Sequence, residues 1–154
     1  MAKDRKTAGI VAPPPLIYGA ALIASIVADR RFCERRLPPM TRALSIGFFA
    51  AAFSLVAPAV AEFKRAGTPI DPFEETTALI ECGPYRYSRN PLYLALTFAY
   101  AGVALATRAG LPLAVLPAVL WVMNAGVIDR EEQYLERKFG TAYAQYRQRV
   151  PRWI

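Results

Sequence analysis

Along this chain the apolar residues gather in four blocks: Pro15 to Ala28 with an extension to Phe32, Ala43 to Ala61, Pro91 to Thr107, and Leu111 to Ile128. Each approaches the roughly 20 residues that a helix needs to cross a bilayer. The pattern predicts an all-α polytopic membrane protein, with four transmembrane helices arranged as two hairpins and a C-terminal amphipathic helix. Paired prolines in "LPPM", Leu37 to Met40, end one helix and start the next. The connection "TRAGLP", Thr107 to Pro112, is short enough to make helices three and four antiparallel neighbours. Lys3, Arg5 and Lys6 ahead of the first block raise the question of a signal peptide, yet Pro13, Pro14 and Pro15 stand where its apolar region should begin, and no cleavage site leads into a soluble domain. A retained first helix is expected, with its prolines in a first turn where a missing N–H costs nothing.

The whole chain, residues 1–154, reads as one domain: an N-terminal hairpin to residue 61, a cytoplasmic loop over 62–90, a second hairpin over 91–128 and a cytoplasmic tail from 129 onward. In the loop, Gly67, Pro69, Pro72, Gly83 and Pro84 resist continuous helix, whereas Phe73, Leu79, Ile80 and Tyr85 argue that it packs. The tail carries a clearer pattern. On a helix at 100° per residue, Ile128, Leu135 and Phe139 share one face, Glu131 and Glu132 lie on its two flanks, and Arg130, Gln133 and Arg137 point the other way. Two carboxylates turned toward an apolar face are costly to bury unless a cation meets them. That cation is either Arg86 or Arg89 in an ordinary ion pair, or a ligand; the pattern leaves both open.

Composition agrees with a membrane location, since 55% of the residues are hydrophobic, too many for a typical soluble domain. The net charge of +7 is divided among the connections rather than gathered on one face, so nucleic acid is not an expected partner. Most of the Lys and Arg residues fall in the N-terminus, the 62–90 loop and the tail, which the positive-inside rule assigns to the cytoplasm. The exception is "DRRFCERR", Asp29 to Arg36, which this topology leaves outside. The expected location is a bacterial inner membrane with both termini cytoplasmic. Histidine is absent, which argues against haem, zinc and imidazole-based acid-base chemistry. Cys33 and Cys82 lie far apart with no CxxC spacing, so no metal site is expected.

One pair of motifs remains. "GPYRYSRNPLY", Gly83 to Tyr93, followed after a helical hairpin by "EEQYLERKFGTAYAQYRQRV", Glu131 to Val150, resembles the membrane superfamily of isoprenylcysteine carboxyl methyltransferases and phospholipid N-methyltransferases. "KRAGTPIDP" just upstream adds to the likeness. The resemblance implies an S-adenosylmethionine-dependent enzyme with its cofactor at the cytoplasmic membrane face. Position by position, it implies cofactor contacts at Thr77, Ala78, Leu79 and Ile80, at Tyr85, at Asn90, Pro91, Leu92 and Tyr93, and at Glu131. Arg86, Arg89 and Asn90 would form the polar lip of that pocket. The methyl group would pass in line to a lipophilic or amphiphilic acceptor entering from the bilayer, a lipid amine, a thiol or a carboxylate, with Glu132 or water taking the proton if the acceptor is an amine. Two departures stand out: Asn90 replaces a family histidine, and Val127 replaces an arginine that holds the substrate carboxylate, a catalytic part left to Arg130 or to Arg86 or Arg89 from the loop. An isoprenylcysteine substrate is correspondingly disfavoured. Two rivals are a nicotinamide-dependent reductase relative and a non-enzymatic scaffold whose tail lies on anionic lipid through Arg137, Lys138, Arg147 and Arg149.

Overall fold

Proline opens three of the helices. In the computed structural model, which describes residues 8–33 and 36–154, α1 (Pro14–Phe32), α3 (Pro91–Thr107) and α4 (Leu111–Met123) each carry proline in the first two positions. Lys3, Arg5, Lys6 and the Glu34-Arg35 part of the charged connector lie outside the described residues. The second helix, α2 (Thr41–Ala66), stops where Gly67 takes a left-handed φ of 62°. Below α4 the chain does not break. A π-helical turn over Asn124–Ile128 leads directly into α5 (Asp129–Phe139), giving one helix of 29 residues. Every regular element among the described residues is helical.

The tail departs from the single amphipathic helix that its sequence predicts. Gly140 adopts φ 53° and ψ −122°, a conformation outside the helical region that favours glycine, so α5 ends there and α6 (Thr141–Arg149) starts in a new direction. The periodicity within α5 is as expected. Ile128 is buried, Arg130, Gln133 and Arg137 are exposed, and the two glutamates stand between them.

α1 to α4 run alternately up and down. One end of the bundle gathers Pro13 to Pro15, Phe63, Leu92 and Glu131 around a common cavity. At the other end, Asp29 Oδ1 accepts the Leu111 N–H at 2.8 Å, Arg108 Nε donates to the Leu37 carbonyl at 2.6 Å, and Thr41 Oγ1 donates to the Leu105 carbonyl at 3.2 Å. The main packing partners are not the helices joined by the short connections. α2 lies along α3, and α1 packs on α4 and α3, while α1 and α2 make little contact with each other. Side-chain fit decides this pairing. A Cβ at Gly102 would come within 3.0 Å of the Phe49 ring, and Phe48 meets Phe98 edge-on with centroids 6.0 Å apart. Between α1, α3 and α4 lies a core of Tyr18, Tyr100, Met123 and Val127. Its hydroxyls are satisfied, Tyr18 by Thr97 at 2.8 Å and Tyr100 by the Pro112 carbonyl at 3.0 Å, as buried polar groups require.

Two helices, Thr41–Ala66 and Leu111–Phe139, are long and apolar enough to cross a membrane. On α2 the residues Leu44, Ile46 and Phe53 project outward and exposed, which is unfavourable in water and ordinary against lipid tails. α3 is apolar but has 17 residues, about 26 Å of helix, somewhat short of a hydrocarbon core of about 30 Å.

Candidate active site

The loop after α2 is ordered by contacts to the tail and within itself. The Thr76 N–H donates to the Tyr134 hydroxyl at 3.2 Å, and the Thr77 N–H donates to Thr68 Oγ1 at 2.8 Å. A 3₁₀ turn over Gly83–Arg86 then carries Tyr85 inward. Gly83 has φ 59°, which favours glycine, and a Cβ there would crowd the Glu62 side chain at 3.1 Å. The Tyr85 ring packs edge-on against Phe63, and its carbonyl accepts the Tyr146 hydroxyl of α6 at 2.8 Å. Loop and tail thus close on each other.

The polar residues ahead of α3 are largely a clasp for the C-terminus. Arg89 Nη1 donates to the carbonyls of Arg147 at 3.0 Å and Val150 at 2.8 Å, and the Arg89 N–H donates to the Pro151 carbonyl at 3.0 Å. The Asn90 amide and the Ser88 hydroxyl both donate to the Arg152 carbonyl, at 3.0 and 3.3 Å. Folding the C-terminus back in this way brings a second arginine to Glu132. Arg89 Nη2 meets one of its oxygens at 2.7 Å and Arg152 Nη2 the other at 2.7 Å. Burial raises the Glu132 carboxyl, but the hydrogen bonds from Arg152 and Arg89 outweigh it and hold the group below its ordinary value.

Glu131 has a different environment. One oxygen accepts the Tyr93 hydroxyl at 2.8 Å, and among the described residues no Lys or Arg pairs with it within 4 Å. Burial pushes its carboxyl above the ordinary range; the Tyr93 hydrogen bond works against this and the neighbouring Glu132 charge adds to it. The flank positions of the two glutamates are therefore resolved separately: Glu132 is neutralised by protein cations, and Glu131 is not.

Glu131 stands where two cavities meet. The smaller, about 70 Å³, lies between the loop, α5 and α6 and is walled by Ala78, Leu79, Ile80, Tyr143 and Tyr146. The larger, about 570 Å³, opens between the starts of α1 and α3 and the end of α2, and it falls in the usual range for small-molecule sites. Its walls are apolar, with Val56, Leu92, Leu96 and the three prolines Pro13 to Pro15. Tyr85, Arg89, Asn90 and Glu131 border both.

The structure thus gathers Ala78, Leu79, Ile80, Tyr85, Arg89, Asn90, Leu92, Tyr93 and Glu131 around two adjoining cavities, with Glu132 on the wall of the smaller one. Three sequence-derived candidates lie apart from both cavities. Thr77 is exposed and donates to the Gly67 carbonyl at 3.3 Å, Pro91 is buried in the first turn of α3, and Arg130 donates to the Gly9 carbonyl at 2.9 Å. Arg86 is exposed and borders neither cavity. Arg152 and the proline wall escaped the sequence reading. Pro151 marks the end of a helix, but no spacing rule says that the following residue returns to a glutamate twenty positions back.

Val127 takes no part in the site. It is 0% exposed, packed with Ala8, Ile10, Tyr18 and Met123. The π turn accounts for this: the Asp129 N–H reaches back five residues to the Asn124 carbonyl, so the register of an unbroken α-helix, which would place Val127 one turn above Glu131, is displaced. Val127→Arg is accordingly expected to bury a charge without a partner and to destabilise the fold by several kcal/mol. Size-exclusion profiles and thermal unfolding in detergent would show it as aggregation or a much lower midpoint; a stable variant would mean that the arginine reaches the cavity.

The model of the phospholipid methyltransferase family matches residues 40–142, from the start of α2 into α6. An uncharacterised protein of Haemophilus influenzae is 54% identical over 33 residues, which are 21% of this chain and 52% of that protein, so this chain spans about half the length of that curated relative. No solved structure matches. With two-thirds of its length matched by the family model, covering α2, the loop, α3, the long α4–α5 helix and the start of α6, the chain belongs to the phospholipid methyltransferase family.

Proposed function

We infer that this protein is an S-adenosylmethionine-dependent methyltransferase working at the cytoplasmic face of the bacterial inner membrane on a lipophilic or amphiphilic acceptor. The observation that carries the reading is Glu131, a carboxylate without a protein cation on the shared wall of a small cleft of mixed polarity and a larger apolar cavity. When bound, S-adenosylmethionine supplies a methyl group on a sulfonium, ready for direct transfer. The residues present suit it. Glu131 offers the negative charge that a sulfonium or ammonium seeks, and Tyr93 fixes the orientation of that carboxylate. Tyr85, Leu79 and Ile80 offer apolar surface for an adenine.

The chain's own contribution is position and dryness. The clasp of Arg89, Asn90 and Ser88 on the C-terminus holds α6 over the cleft, and the apolar walls of the larger cavity admit molecules already dissolved in lipid. Glu132 is engaged by two arginines, so an acceptor amine would pass its proton to Glu131 or to water. In this reading α1, α2, α3 and the continuous helix formed by α4 and the π turn all span the bilayer, with α3 and the start of the loop drawing the site close to the membrane surface.

Titration calorimetry on detergent-purified protein tests the reading, with S-adenosylmethionine and NADPH run in parallel. Binding of S-adenosylmethionine alone is expected. Binding of NADPH alone would make the chain a reductase relative, and binding of neither would leave a scaffold.

A further inference from the structure

The segment ahead of α1 forms part of the larger cavity. Ala8 and Ile10 are buried in the same cluster as Tyr18, Met123, Val127 and Tyr134, and Pro13, Pro14 and Pro15 line the cavity opposite Val56, Leu92 and Leu96. Between these stretches the backbone is tied at two points. The Val11 N–H donates to the Gly126 carbonyl at 3.3 Å, within the π turn, where the α-helical bonding pattern is interrupted. Arg130 Nη1 donates to the Gly9 carbonyl at 2.9 Å. Three consecutive prolines have fixed φ and no N–H, so this wall is stiff and offers a ligand no donor. The matched family region starts at residue 40, so the wall comes from the part of the chain outside the match.

We propose that the strap from Ala8 to Pro15 is the specificity-determining wall of the acceptor cavity, and that Arg130 is the positioning residue that holds it. The acceptor's apolar chain would run between the proline wall and the Leu92–Leu96 face of α3, with its reactive head toward Glu131. This rests on the methyltransferase reading above. It gives Arg130 a role through the backbone of the strap in place of contact with the acceptor's head group.

The test uses the full chain in lipid nanodiscs doped with a phosphatidylethanolamine that carries a diazirine in its acyl chain, with cross-links mapped by mass spectrometry. In wild type, Pro13 to Pro15 and Leu96 are expected to be labelled, with Trp121, which is exposed on the outer surface of α4 and faces bulk lipid in this reading, as the internal reference. Arg130→Gln is expected to lower the ratio of proline-wall to Trp121 labelling severalfold, Arg130→Lys to restore most of it, and Arg137→Gln, on an exposed face away from both cavities, to leave it unchanged. An unaltered ratio in Arg130→Gln would overturn the role of Arg130, and wild-type prolines left unlabelled while Trp121 is labelled would overturn the cavity wall itself. Titration of wild type with S-adenosylmethionine, run separately, keeps the two readings distinct: failure there removes the methyltransferase reading without changing what the cross-links say about the wall.

Discussion

Glu131→Gln is expected to weaken S-adenosylmethionine binding by roughly ten- to a hundredfold while leaving the fold intact, the factor that follows from losing about 1.5 to 3 kcal/mol of charge-assisted contact. The side chains have nearly the same shape, and glutamine can still accept the Tyr93 hydroxyl, so the change removes charge and little else. Stability should not suffer. Because burial raises the Glu131 carboxyl above its unfolded value, this group favours folding most when protonated, and its contribution falls as pH rises through the raised value. Removing the charge at neutral pH is therefore neutral or slightly stabilising. Binding has the opposite dependence, since the cation needs the ionised form: affinity should grow as pH rises past the ordinary carboxylate range, and that dependence should vanish in the glutamine variant. Calorimetry across pH and thermal unfolding of both proteins measure the two effects.

Arg89→Ala should instead damage the fold. The side chain is about 10% exposed, and it joins Glu132 to the carbonyls of Arg147 and Val150, so truncation leaves a buried carboxylate with Arg152 as its remaining ion-pair partner and two carbonyls without donors. Breaking one side of a buried ion pair costs about 3 to 5 kcal/mol. Denaturant unfolding of the detergent-purified variant should show this loss, and limited proteolysis should cut first after Arg149 or Arg152. The Glu132 carboxyl is held below its ordinary value, so its contribution is complete above that value and lost as pH falls through the depressed one. Wild type should therefore loosen on the acid side, and Arg89→Ala should show a smaller acid dependence. A variant as stable as wild type would mean that the clasp contributes little.

The long apolar runs made the helices legible, because burial in lipid or protein demands such runs and little else does. α2 extends past its apolar block through Glu62, Lys64 and Arg65, charged residues that a helix accepts readily, with Glu62 and Arg65 paired at 2.7 Å. The break at Gly140 was available in the sequence as a stop signal inside a helical pattern, yet the apolar face of Ile128, Leu135 and Phe139 masked it. The pairing of α2 with α3 was not legible, since it depends on the fit of Phe49 over Gly102 rather than on connection length. In the site, periodicity alone put Glu131 and Glu132 on the flanks of the apolar face. Their separate fates depend on Arg152, which arrives through an extended C-terminus, and the π turn that takes Val127 out of register leaves no trace in the pattern.

The most direct measurement is methyl transfer itself. Protein purified in detergent would be incubated with S-adenosylmethionine labelled in its methyl group and with a bacterial inner-membrane lipid extract, and the label would be followed into the organic phase. Wild type is expected to produce organic-soluble label, and Glu131→Gln little of it. A wild type that binds S-adenosylmethionine but leaves the organic phase unlabelled would contradict a lipophilic acceptor, and equal labelling by Glu131→Gln would contradict the placement of the cofactor at Glu131.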